Sequence, residues 1–315
     1  MASPRWDLPY PSYQYNINEL KRIYKAAILE VIVILEQLAT RGKRNTVSWE
    51  QMTAVLAQLT ALLSQLDHDA VQWVEHRIKE AFRNGQAETI YAIGEARTLS
   101  QAISLVSTSE LVRRTADTLA ADTFEDLLYA NDKMRRETIR MIRSIVSEQM
   151  KAQAAMNQGV FTTTRAIVNA LTKKEIRTRF DEEGNIAIID RAGRRWKLEV
   201  YAEMLARTKL LQAHVEGIRV EALERGIDLA IISSHNAVDC TCGMFEGQVI
   251  SLNGLTEGFM TYDELRRSNL IFHPNCMHKV TPIRDINLLP EEVRRKFERG
   301  RARAEEALRV AKLKK

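Results

Sequence analysis

The chain has 315 residues, of which 45% are hydrophobic and 28% are charged, so we expect a folded, soluble protein of about two domains rather than a disordered one. Its net charge is +5, and residues 291–315 hold ten Lys and Arg against five Asp and Glu, which leaves 36 of each sign in residues 1–290. The positive excess therefore lies in the last segment, and the neutral remainder gives no reason to expect that the whole protein binds nucleic acid.

Neither secretion nor a membrane span is expected from the apolar segments. The first sixteen residues contain no apolar core of signal-peptide length. The most apolar run, residues 26–39, is too short to cross a bilayer and is interrupted by Glu30 and Glu36. We therefore expect synthesis in the cytoplasm, with the three cysteines reduced and no membrane partner.

The N-terminal half has the pattern of long helices. Proline is absent between Pro11 and Pro274, and only four glycines precede residue 175. Apolar residues recur at spacings of three and four, which is the period of one helix face; in the first helix they are Leu20, Ile23, Tyr24, Ala27, Ile28, Val31 and Leu35. We predict a mainly α domain over residues 1–175.

The pattern changes after about residue 176. The stretch "NIAIIDRAGRRWKL" places two short apolar runs around Arg191, Ala192 and Gly193, which predicts a β-hairpin. A helix is predicted from about Leu198 to Arg225, ended by Gly226. The runs "IDLAIIS" and "GQVISL" then predict strands, so residues 176–290 are interpreted as a small α+β domain.

Residues 291–315 predict a basic helical tail. Pro290, Glu291 and Glu292 favour a helix start, and lysines at the other end favour its C-terminal dipole. Its apolar stripe is thin, and consists of Val293, Phe297, Ala304, Leu308 and Ala311. We expect a peripheral helix with few contacts to the rest of the protein and with charge available to DNA or to an acidic protein surface.

The most unusual feature is a concentration of cysteine and histidine between residues 235 and 278. It contains all three cysteines and three of the six histidines, namely His235, Cys240, Cys242, His273, Cys276 and His278. Zinc takes four sulfur and nitrogen ligands, so the best quartet is Cys240, Cys242, Cys276 and one of His273 or His278. The alternative is a set of buried thiols and core histidines. In either case we expect the three sulfurs to lie close together.

An enzymatic interpretation is the alternative at the level of function. A general base and metal ligands for phosphodiester cleavage could come from His235, Asp239, Glu246, His273 and His278. No phosphate-binding glycine loop, serine elbow or paired-carboxylate motif accompanies them. We therefore do not expect an enzyme, and a metal-dependent nuclease or toxin-like effector is the second hypothesis.

Three segments together resemble a known family: "DRAGRRWKLEVYAEMLART", "IISSHNAVDCTCGMFEGQVISL" and "LIFHPNCMHKVTPI". In order and spacing, over about residues 186–284, they are similar to the C-terminal half of phage minor capsid proteins related to the Mu F-like head-morphogenesis family. The matching details include the Gly-Arg-Arg-Trp hairpin exit, Tyr201, Arg207-Thr208, Ser234-His235 and the block that begins at His273.

The resemblance implies a virion protein without catalytic activity that lies inside the capsid and associates with the portal and inner capsid proteins during head assembly. Under the second hypothesis, the effector would be packaged in the phage head. Packaged DNA is the candidate partner of residues 291–315. Zinc is the candidate cofactor, with ligands among Cys240, Cys242, His273, Cys276 and His278, and we expect no other.

Overall fold

The structure is a computed structural model that describes residues 5–42, 49–155, 187–189, 195–235 and 240–313. Most of these residues are helical, as predicted. The helices are α1 (Gln14–Gly42), α2 (Trp49–Ala92), α3 (Leu99–Ser104), α4 (Glu110–Ala155), α5 (Leu198–Glu224), α6 (Tyr262–Ser268) and α7 (Glu291–Leu313). The strands are β1 (Ala187–Ile189), β2 (Arg195–Lys197), β3 (Leu229–Ile232), β4 (Val249–Ser251) and β5 (Val280–Pro282).

The chain forms two compact units, each made of segments that are distant in the sequence. Unit 1 contains residues 1–14, 74–122 and 204–315, and unit 2 contains residues 15–73 and 123–203. The sequence predicts consecutive domains over 1–175, 176–290 and 291–315. That division stays a prediction, because residues 156–186 lie outside the described part of the chain.

Unit 2 buries one face of α1. Its buried residues include Leu20, Tyr24, Ala27, Val31 and Leu35, at the helical spacing that the sequence shows. The Tyr24 hydroxyl donates to Asn131 Oδ1 (2.6 Å), whose Nδ2 donates to Asp67 Oδ1 (2.7 Å). This chain of polar contacts joins α1, α2 and α4 inside the unit, and it gives the buried Tyr24 and Asn131 side chains their hydrogen-bond partners.

The predicted hairpin is confirmed within unit 2. Strands β1 and β2 pair antiparallel, with Ala187 opposite Lys197 and Ile189 opposite Arg195. The predicted turn around Arg191, Ala192 and Gly193 lies outside the described residues. Helix α5 begins directly after β2, at Leu198.

Unit 1 contains a three-stranded antiparallel sheet in the order β4-β3-β5. The two strands predicted from the sequence are β3 and β4, and Gly226, with φ of +67°, ends the preceding helix as expected. Strand β5 was not predicted, because its Pro282 argues against a strand. The proline is accommodated since β5 lies at the edge of the sheet, where one side of the backbone needs no ladder partner.

Helix α7 is confirmed as a helix, but the expectation that it makes few contacts is wrong. Phe297 packs with Ile231, Val249, Ile283 and Leu289, whereas Ala304 and Leu308 belong to the main core of unit 1. Polar contacts add to this packing, as in the ion pair between Lys312 and Glu264 (2.6 Å). A thin apolar stripe is enough here because the sheet and α6 supply the complementary surface, which the local sequence cannot reveal.

The contact between α2 and α5 in unit 1 depends on two glycines. A Cβ placed on Gly85 would lie 1.9 Å from the His214 carbonyl oxygen, and one on Gly217 would lie 2.0 Å from the Phe82 carbonyl oxygen. Both obstacles are backbone atoms, so neither can move without shifting a helix. The two helices therefore cross with their backbones in direct contact.

We predict that Gly85→Ala destabilises the protein, although alanine is the better helix former by about 1 kcal/mol. The helices must separate to accept the methyl group, at a cost of about 3 kcal/mol or more. Gly300→Ala is the matched control, because there the Cβ meets only the side-chain nitrogen of Gln248, at 2.5 Å. Urea unfolding of the two variants compares them, and equal midpoints would contradict the proposed backbone contact.

We also predict that Phe297→Ala lowers the free energy of unfolding by about 3–5 kcal/mol, since it empties a buried site in the core of unit 1. Leu313→Ala, at a position that is 74% exposed on the same helix, should change it by less than about 0.5 kcal/mol. Circular dichroism in increasing urea measures both. If Phe297→Ala leaves the free energy of unfolding unchanged, α7 is a peripheral tail, as the sequence predicted.

Candidate metal centre

The cysteine and histidine residues lie on two loops of unit 1. Cys240 precedes the 3₁₀ helix Thr241–Phe245, and its sulfur accepts the Cys242 N–H (3.4 Å) at the start of that helix. The second loop connects α6 to β5 and carries His273, Cys276 and His278. The first loop runs from β3 to β4, and β5, at which the second loop ends, pairs with β3 in the same sheet.

The two loops bring all five candidate ligands together. The ligand atoms of Cys240, Cys242 and His273 lie within 4.8 Å of one another, and so do those of Cys242, Cys276 and His278. Cys242 belongs to both sets. The predicted proximity of the sulfurs is therefore confirmed for Cys240 with Cys242 and for Cys242 with Cys276, and the three cysteines are free thiols rather than a disulfide. Metal binding itself stays a prediction.

The second loop folds tightly around Cys276. Phe272 and Asn275 have φ of +58° and +63°, a region that residues other than glycine rarely occupy. Burial raises the pKa of the Cys276 thiol, and the neighbouring backbone of His278, Phe272 and His273 opposes the rise. Polar backbone groups near the sulfur therefore favour the thiolate that a metal requires.

The other two thiols have different acidities. Burial raises the pKa of Cys240, but hydrogen bonds from Cys242 and His273 outweigh it and lower the value to about 7. The more enclosed Cys242 has its pKa raised to about 12 by burial and by the neighbouring sulfur of Cys240. One thiol of this pair is thus readily ionised and the other is held protonated, which is the behaviour of neighbouring thiols that compete for one charge.

Each histidine of the cluster has a partner for the ring nitrogen that lies farther from the sulfurs. His278 Nδ1 is 3.3 Å from Cys276 Sγ, and its Nε2 is 3.1 Å from Glu246 Oε1. His273 Nε2 is 3.5 Å from Cys240 Sγ, and its Nδ1 is 2.9 Å from the Pro274 carbonyl oxygen. Both rings therefore direct one nitrogen at the cluster, which is the arrangement of metal-binding histidines.

The enzymatic interpretation also named His235, Glu246 and Asp239. His235 packs edge-on against His278, with ring centroids 5.1 Å apart, and against Tyr10 at 5.8 Å. Glu246 is buried and accepts from Ser234 Oγ (3.0 Å) and the His235 N–H (2.8 Å). Asp239 lies outside the described residues. Glu246 is thus a hydrogen-bond acceptor at the edge of the cluster.

A cavity of about 220 Å³ adjoins the cluster. Its wall combines apolar, amide and basic side chains with three of the candidate ligands, and consists of Thr208, Leu211, Gln212, Val215, Tyr262, Arg266, Asn269, Phe272, His273, Pro274, Cys276 and His278. Of these candidate ligands, His273 is half-buried, whereas Cys276 and His278 are buried. His273 is therefore the most solvent-accessible ligand candidate on this wall.

The sequence did not predict the buried polar network that lies next to the cluster. Lys279 is fully buried and pairs with Glu88 of α2. Glu88 also lies 3.0 Å from His214 Nε2, and His214 Nδ1 lies 2.8 Å from the Tyr13 hydroxyl. Burial raises the pKa of Glu88, but His214 and Lys279 outweigh it and lower the value. The one signal in the sequence was a lysine directly before the apolar strand β5.

The fold and the cluster are accompanied by one clear family match. A family model described as phage minor capsid protein 2 matches residues 13–312. The chain belongs to this family of structural proteins of the bacteriophage capsid. No curated protein and no solved structure matches the chain. Within the described ranges, no helix is both long and apolar enough to cross a membrane.

Proposed function

We propose that the protein is a minor capsid component that associates with the portal and inner capsid proteins inside the phage head during assembly. The observation that carries this proposal is the family match over residues 13–312. The family is one of structural proteins, which supports a role without catalysis. Cleavage of DNA or RNA that depends on added metal and is lost in His273→Ala would contradict that role.

Helix α1 offers a surface for a partner helix. Leu29 and Val33 are 48% and 47% exposed and lie four residues apart on one face of this helix. Residues four apart are neighbours on a helix surface, so the two side chains form one apolar strip. Neighbouring apolar side chains at this spacing suit the packing of an amphipathic partner helix.

We predict that Leu29→Asp combined with Val33→Asp weakens portal association by on the order of tenfold, the equivalent of about 1.4 kcal/mol. Leu111→Asp is the control, because it introduces the same charge at a position of α4 that is 48% exposed. Co-purification of each variant with the portal protein measures the effect. Unchanged recovery of the double variant would move the portal contact away from α1.

Helix α7 is the proposed contact with packaged DNA. Several of its cations are already paired, among them Arg295 with Glu291, Arg301 with Glu305 and Arg309 with Glu306. The exposed Arg299 and Arg303 have no ion pair among the described residues. The free positive charge is therefore smaller than the sequence suggests, and DNA binding through α7 is weak and strongly dependent on salt.

We predict that Arg299→Glu combined with Arg303→Glu lowers DNA affinity and reduces the slope of log K against log salt by about 1 for each phosphate that the protein no longer neutralises. Arg97→Glu with Arg136→Glu makes the same charge change at exposed sites outside α7. Binding titrations at several salt concentrations compare the pairs. Equal losses of affinity in both would indicate nonspecific attraction rather than a contact by α7. Truncation of α7 would not test this contact, because it would also remove residues of the core.

The cysteine and histidine cluster is proposed to bind one zinc ion as a structural clasp between its two loops. The residues fit the ion in kind, because sulfur and imidazole donors are those that zinc prefers. They also fit in setting, since the outer nitrogens of both histidines have oxygen partners. Zinc bound here would stabilise the folded state, because the unfolded chain does not hold its ligands together.

A further inference from the structure

The cluster offers five donors, whereas a structural zinc site uses four. We infer that the inner ligands are Cys240, Cys242, Cys276 and His278, that Glu246 positions His278, and that His273 is an outer partner of Cys240. This inference rests on the proposed metal binding and decides the ligand that the sequence left open. It also assigns a role to Glu246, a residue outside the donor set.

The two histidines differ in how deeply they are buried. Cys242, Cys276 and His278 are all buried, and their ligand atoms form one of the two compact sets. His273 and Cys240 are only half-buried, and His273 lies on the wall of the cavity. A structural zinc site takes all four ligands from the protein and leaves no open position, and the buried set supplies three of them. Cys240 joins this set through Cys242, whose sulfur belongs to both compact sets.

The contact between Glu246 and His278 is the second reason to assign His278 as an inner ligand. Its carboxylate is 3.1 Å from His278 Nε2 and is itself held by the Ser234 hydroxyl and the His235 N–H. Donation from Nε2 to this carboxylate places the proton on Nε2 and leaves the Nδ1 lone pair facing the sulfurs. A carboxylate in this position orients a ligating imidazole and increases its basicity. Glu246 is therefore a positioning residue for His278.

His273 has a weaker outer contact, to the carbonyl of the next residue, Pro274. Its Nε2 is 3.5 Å from Cys240 Sγ, within hydrogen-bond range of sulfur. Because Nδ1 donates to the carbonyl, Nε2 can donate to the Cys240 thiolate only when both ring nitrogens carry a proton. Such an outer imidazolium stabilises the thiolate without occupying a ligand position. The four inner ligands then come as two pairs with one residue between partners, Cys240 with Cys242 and Cys276 with His278.

Cobalt titration of the full chain separates the two histidines, because cobalt(II) reports its ligands through absorption bands. The wild-type chain should bind one equivalent with the spectrum of a tetrahedral site of three thiolates. His278→Cys should raise the thiolate-to-cobalt charge-transfer intensity by about one third, since a fourth sulfur joins the usual four-ligand site. His273→Cys should leave that intensity unchanged.

Loss of the tetrahedral spectrum in His273→Ala, or a rise in His273→Cys and none in His278→Cys, would overturn the ligand assignment while leaving metal binding intact. A wild-type chain that binds neither zinc nor cobalt would overturn the proposed clasp and this assignment together. The cysteine variants retain a donor at each position, so a folded protein is expected for both.

The role of Glu246 is tested by zinc affinity measured against a chelator. Glu246→Gln should weaken zinc binding by about 10- to 100-fold, as for other outer carboxylates, and should therefore shrink the rise in melting temperature on zinc addition. Ser234→Ala is the control, because it removes one contact of Glu246 without touching His278. If Glu246→Gln lowers the melting temperature of the metal-free and zinc-loaded chains equally, the residue is merely structural and the positioning role is wrong.

Discussion

The backbone contact between α2 and α5 at Gly85 and Gly217 is the constraint on which unit 1 depends. Because no side chain separates the helices there, the next turn of α2 brings Glu88 within 3.0 Å of His214 on α5. Glu88 in turn holds Lys279, which directly follows His278 in the sequence. The close helix crossing thus fixes the position of the loop that carries three of the candidate ligands.

A charged network such as the one beneath this loop is unusual in a protein interior. Taking an ammonium and a carboxylate out of water is costly, and their attraction offsets that cost only when both are well paired. Glu88 meets this condition with two partners, and the Tyr13 hydroxyl extends the network to the N-terminal segment. Such a network tolerates few alternative arrangements, so it favours one register of the loop against the two helices.

The sequence predicted the elements whose signals are local. Helical spacing in α1, the hairpin around residues 190–194 and the apolar runs of β3 and β4 can each be recognised within about ten residues. The density of cysteine and histidine predicted the cluster for the same reason. Strand β5, the docking of α7 and the partners of Glu88 and Glu246 depend on surfaces supplied by distant segments. No local pattern contains that information.

Unit 1 has a consequence for biosynthesis. Trp6 near one end of the chain and Phe297 near the other pack in the same apolar cluster. A chain emerging from the ribosome with Trp6 first must therefore wait for the synthesis of α7 before this core can close. Until then, the apolar surface that α7 covers stays open to other proteins in the cell. Completion of this unit is thus tied to the synthesis of α7, which makes chaperone protection most valuable before that helix is made.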